Sequence, residues 1–143
     1  MPKSVLIPID PQEQNLVDKA MKQAITQARD LGADLHILTV VPGYNMPMVA
    51  SYFPPEAMKQ ALDAVDQTLT DYINKAVPQD LNSQLHVKSG NPYKEILKMA
   101  KELDVEMIVI PSRKHGRIDQ ALIGSVASKV VERAGCSVLV VRR

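Results

Sequence analysis

Tryptophan is absent from the chain, aromatic side chains make up only 3%, and cysteine occurs once, as Cys136. A lone cysteine cannot close an intrachain disulfide, so nothing points to an oxidising compartment. With aromatics so scarce, the core must rest on Val, Ile, Leu, Ala and Met. Strong charge of one sign is missing too: the net charge is +1, which leaves no electrostatic footprint for nucleic acid or an acidic membrane surface. Residues Met1 to Ser4 run straight into a short apolar stretch and lack the apolar core and cleavage site of a signal peptide. No apolar run approaches a membrane span. The expectation is a cytosolic protein. Well-known nucleotide and metal signatures are also missing. There is no G-x-x-x-x-G-K-[ST] loop, no G-x-G-x-x-G, and no His/Cys/carboxylate cluster at zinc spacing. Neither Ser112 nor Ser125 has an evident base and orienting acid, so a hydrolase triad is unsupported.

What is present is a regular alternation. Residues 143 in number suit one domain, expected to span 1–143, with a sizeable core. Ser4 to Ile9 is an apolar run of the kind that forms a strand buried on both faces. Asp10 is placed to cap a helix whose first turn holds Pro11. Leu16, Ala20, Ala24, Ala28 and Leu31 then recur at helical spacing, and Gly32 marks the end. Leu35 to Val41 reads as a second strand. The segment from Pro42 to Pro55 holds four prolines beside Tyr44, Met46, Met48, Tyr52 and Phe53, and is expected to be irregular. Its apolar groups suit packing under a long loop, a lid, or a partner surface. A helix follows over Glu56 to Ala76, a strand over Gln84 to Ser89, and a helix over Tyr93 to Leu103 entered through Gly90, Asn91 and Pro92. A fourth strand covers Met107 to Pro111. A basic loop from Ser112 to Asp119 leads to a last helix opened by Gly124 and Ser125 and closed by Gly135. Cys136 to Val141 is a fifth strand. Apolar strands joined by helical crossovers imply a parallel sheet with helices on both faces.

In such a doubly wound sheet, ligands bind beyond the carboxyl ends of the strands, where the strand order reverses. If the first and fourth strands lie side by side there, Pro8, Ile9 and Asp10 face the same crevice as Ile110, Pro111 and Ser112. Each strand carries a proline where ladder pairing is expected to end. Gly124, Ser125 and Val126 form a helix start, with unsatisfied N–H groups and positive partial charge suited to a phosphate. The preceding loop adds Arg113, Lys114, His115 and Arg117 as donors. Taken alone, the same residues also fit plain helix capping beside a solvated basic loop. His36 and His86 fall in strands and read as structural or surface groups, and Cys136 reads as a small core residue.

Several stretches resemble the small, single-domain universal stress proteins. They are Val5 to Asp10, Leu35 to Val41, Gly90 to Pro92, Met107 to Ser112, Ile123 to Val131 and Cys136 to Arg142. The resemblance implies an α/β fold with a doubly wound, five-stranded parallel sheet in the order 3-2-1-4-5. It further implies ATP, or a related adenine nucleotide, bound at the switch point, with Mg²⁺ as an accompanying ion. Asp10 would meet the adenine or ribose edge, Val40 would offer backbone contacts to the base, and Ser125 and Val126 would meet phosphate. Nucleotide-binding members carry G-x2-G-x9-G-[ST], whose end matches Gly124 and Ser125. Its first two glycine positions fall on Pro111 and Lys114, and Gly116 lies two residues late. Phosphate would then lean more on the side chains of Arg113, Lys114 or Arg117 and less on a glycine cradle. A homodimer through Val138 to Val141 would cover the apolar edge of the sheet. The alternative is a non-nucleotide interaction module with a degenerate nucleotide site; weak ATPase or self-phosphorylating activity is a third option.

Overall fold

The computed structural model describes residues 2–41, 55–112 and 124–142. Along the chain the elements are β1 (Ser4–Pro8), α1 (Gln14–Leu31), β2 (Asp34–Val41), α2 (Pro55–Ala76), β3 (Ser83–Ser89), α3 (Pro92–Glu102), β4 (Met107–Ser112), α4 (Ser125–Arg133) and β5 (Ser137–Arg142). All four pairings are parallel, and the order is β3-β2-β1-β4-β5, the order that the family resemblance implies.

The apolar runs are continuous because both faces of the sheet are covered. Alternate side chains point to opposite faces. Val5, Ile7, Leu35, Ile37 and Val109 pack with Val17, Ala20, Met21 and Ala24 of α1 and with Leu69 and Ile73 of α2. Leu6, Leu38, Ile108 and Ile110 pack on the other face with Ile96, Met99 and Ala100 of α3 and with Ala127 and Val130 of α4. Each large side chain buried in this way contributes about 1.5–3 kcal/mol of hydrophobic stabilisation before entropy is counted. Alanines at 20, 24 and 28 are all fully covered, and their small size lets α1 lie close on the strands. The helices serving β1, β2 and β3 lie on one face and those leading to β4 and β5 on the other. The winding therefore reverses between β1 and β4.

Several local boundaries differ from the sequence expectation. The first helix begins at Gln14 with Glu13 at its N-cap, so Asp10 does not cap it. Instead Asp10 closes the preceding turn: its Oδ1 accepts the Gln12 N–H at 3.0 Å and its carbonyl accepts the Glu13 N–H at 3.0 Å. Ser112 belongs to β4 rather than to the loop, and Pro111 lies inside that strand, opposite Val141 of β5. Cys136 precedes β5, which begins at Ser137. Gly32 ends α1 as expected, in the left-handed conformation at φ 61°. Among the described residues, no helix is long and apolar enough to cross a membrane.

Candidate functional site

The seam between β1 and β4 opens because of a proline. The Ser4 carbonyl accepts the Glu106 N–H at 2.8 Å, while the Ile9 N–H goes the other way, to the Leu38 carbonyl of β2 at 2.8 Å. Backbone groups alternate sides along a strand, so Leu6 and position 8 turn theirs toward β4. Proline has no N–H to give there. Pairing between the two strands accordingly stops at Leu6 and Ile108, although β1 stays paired with β2 through Pro8. Pro111 sits differently. By the same alternation its backbone faces β5, so it does not end the seam.

Beyond that point lies a cleft of about 390 Å³, within the range of small-ligand sites. Nine of the residues singled out from the sequence line it: Pro8, Ile9, Asp10, Val40, Ile110, Pro111, Gly124, Ser125 and Val126. Ser112 is not among its lining residues; it is buried, and its Oγ accepts the Gly124 N–H at 3.0 Å. Arg113, Lys114 and Gly116 lie outside the described residues, as does the expected irregular segment up to Pro54. The sequence reading missed Thr39. Its hydroxyl, buried in the cleft wall, donates to the Ile9 carbonyl at 3.1 Å and ties the end of β1 to β2. A lone hydroxyl residue inside an apolar strand was the signal available for it. Pro92, delivered by the turn at Gly90 and Asn91, also reaches the wall.

The helix end of the cleft is built for hydrogen bonding. Gly124 is the N-cap of α4 and Ser125 its first helical residue. Ser128 is the first to donate within the helix, to the Gly124 carbonyl at 2.8 Å. The amides of Ser125, Val126 and Ala127 therefore have no acceptor inside α4. Most of the wall is otherwise apolar. Its charged members among the described residues are Asp10 and Glu13, and none is basic. Among the described residues, the groups whose proton affinity burial displaces, His36, His86, Tyr72 and Cys136, do not line it. No set of three or more His, Cys, Asp or Glu among the described residues could hold a metal ion. The arrangement suits binding of a flat, partly apolar group with an anionic end at the helix start.

A sequence profile of the Universal stress protein family matches residues 1–142. The chain belongs to this family. Among curated universal stress proteins, it is 30% identical over 145 residues to universal stress protein G of Shigella flexneri, covering 99% of this chain and all of that one. It is similarly 31% identical over 147 residues to universal stress protein G of Salmonella typhimurium, with 99% and 100% covered. Solved universal stress proteins share the fold. UspA of Lactobacillus plantarum superposes with a TM-score of 0.75 at 24% identity, over 98% of this chain and 97% of that one. The Archaeoglobus fulgidus protein in complex with dAMP superposes at 0.66 and 19% identity, over 97% of each chain. A universal stress protein in complex with cAMP superposes at 0.67 and 21% identity, over 99% of this chain and 97% of that one.

Proposed function

We propose that this universal stress protein binds an adenine nucleotide in the cleft between β1 and β4, and acts in the cytosol as a nucleotide-responsive stress protein. In this reading the base lies between the strand ends near Pro8, Ile9 and Val40, Asp10 meets the base or ribose, and phosphate meets the start of α4 at Gly124, Ser125 and Val126. ATP with Mg²⁺ is the fullest ligand, and Arg113 and Lys114 are its added phosphate donors. The observation that carries the reading is the convergence of an opened strand seam with three helix amides that have no acceptor inside their helix. The family relatives in complex with dAMP and cAMP support the ligand class.

The interaction-module reading keeps two observations in its favour: Pro111 and Lys114 occupy the family's first two glycine positions, and the described wall carries carboxylates rather than cations. Calorimetric titration with ATP and AMP, with and without Mg²⁺, separates the two. Saturable heat at micromolar to millimolar nucleotide is expected; none at millimolar concentration overturns the nucleotide reading. Ser125→Glu supplies the site-specific control. A carboxylate in the first turn of α4 favours the helix dipole by about 0.3–1 kcal/mol, so the thermal midpoint should hold or rise. The same charge repels phosphate, so nucleotide affinity should fall at least about tenfold, or about 1.4 kcal/mol. A homodimer through the β5 edge belongs to the same reading. Val138, Leu139 and Val140 are only partly covered, and light scattering should give a dimer that Leu139→Lys converts to a folded monomer.

A further inference from the structure

Ser112 carries a polar group into a place where polar groups need partners. It ends β4, is 3% exposed, and lies opposite Arg142 at the end of β5. Its hydroxyl oxygen accepts the N–H of Gly124, twelve positions along the chain, at 3.0 Å in a buried setting. That amide is the N-cap's own, so no carbonyl of α4 is available to it. The bond therefore joins the end of a sheet strand to the start of the helix that follows it. Ser112 does not line the cleft, whereas Gly124, Ser125, Val126 and Ala127 do.

We infer that Ser112 is a positioning residue for the phosphate end of the cleft: through its hydroxyl it fixes Gly124, and with it the three amides that follow, against the sheet. This rests on the nucleotide reading of the cleft and assigns Ser112 a role other than ligand contact. A helix start fixed before the ligand arrives does not have to be ordered at the moment of binding, which favours affinity. The consequence is selective. Loss of the hydroxyl should weaken ligands that carry phosphate and spare the nucleoside, which is held by the strand ends and not by α4.

The test compares AMP and adenosine on the wild type, Ser112→Ala and Ser112→Thr, with amide hydrogen exchange at Gly124 measured without ligand. In the alanine variant, AMP affinity should fall about tenfold while adenosine affinity stays within about twofold. The Gly124 amide should exchange about tenfold faster. Ser112→Thr, which keeps the hydroxyl, should restore both. Equal losses for AMP and adenosine would mean a general structural defect and would overturn the inference. So would unchanged AMP affinity in a folded alanine variant, or a Gly124 amide that exchanges equally fast in wild type and alanine variant. Absence of binding by either ligand to the wild type overturns the nucleotide reading and this inference together, a result distinguishable from any of the variant outcomes.

Discussion

At the scale of the residue, Pro8 and the His36–His86 pair carry the clearest consequences. Proline at position 8 withholds one donor from β4, and the β1–β4 ladder ends there. Pro8→Ala returns an N–H facing the Ile108 carbonyl. The expected result is one more strand-to-strand bond, stability unchanged or raised by at most about 1 kcal/mol, and a narrower seam with weaker nucleotide binding. Hydrogen exchange at residue 8 with an AMP titration checks this; a freely exchanging amide with wild-type affinity would refute it. The histidines lie on neighbouring strands with His36 Nδ1 and His86 Nε2 2.9 Å apart. Their ring centroids are 5.2 Å apart and the planes are inclined by 24°, and a hydrogen bond joins the two nitrogens, with its direction set by the tautomers. Burial lowers the proton affinity of His36, with Asp34 opposing; burial lowers that of His86, with His36 and Lys88 adding to the effect. Both rings are thus harder to protonate when folded than at the ordinary value of 6.5. The unfolded chain binds more protons below that value, so the stabilisation is complete above it and declines as pH falls through it. Urea midpoints at about pH 8 and about pH 5.5 should differ more for the wild type than for a His36→Gln/His86→Gln double variant. An equal difference in both proteins would put the pH dependence elsewhere.

At the scale of the element, the ends of the helices decide more than their middles. Gly32 closes α1 at φ 61° and ψ 38°, donating its N–H to the Ala28 and Arg29 carbonyls. A Cβ added there meets nothing within 4 Å, so Gly32→Ala tests backbone conformation alone. A loss of about 1 kcal/mol is expected, with Gly32→Asn losing less because asparagine tolerates the left-handed region better. Equal stability of all three proteins in urea unfolding would remove the backbone argument. This end of α1 was legible in the sequence because glycine after a helical period has few other uses. Its beginning was not. Asp10 followed by Pro11 reads as cap and first turn, yet here the pair forms a separate turn that carries the chain from the mouth of the cleft to Glu13. Local chemistry specified a turn at Asp10, and the helix begins only after it, at Gln14 with Glu13 as its N-cap. The start of α4 was legible as Gly124 and Ser125, but the bond that holds it joins positions twelve apart and leaves no periodic trace.

At the scale of the whole molecule, the strands were readable because burial on both faces writes continuous apolar runs such as Val5 to Ile7 and Ile108 to Ile110. Pairings were less so. The His36–His86 contact spans fifty positions and exists only in the β2–β3 register that sets Leu38 beside His86. The cleft likewise needs the order that makes β1 and β4 neighbours, since its walls come from β1, β2, β4 and the starts of α1, α3 and α4. A ligand seated there touches segments from both ends of the chain and both faces of the sheet. It should therefore stabilise the molecule globally and not one helix alone. A ligand that binds only the folded state at a hundred times its dissociation constant adds about 2.7 kcal/mol, which for a chain of this size raises the thermal midpoint on the order of 10 °C. Hydrogen exchange gives the map. AMP should slow exchange at the ends of β1 and β4 and in the first turn of α4. The outer edge at β3 and the exposed first half of α2 should respond only through the global shift. Protection concentrated at β3 or α2, or a midpoint insensitive to millimolar nucleotide, would place the functional surface away from the β1–β4 seam.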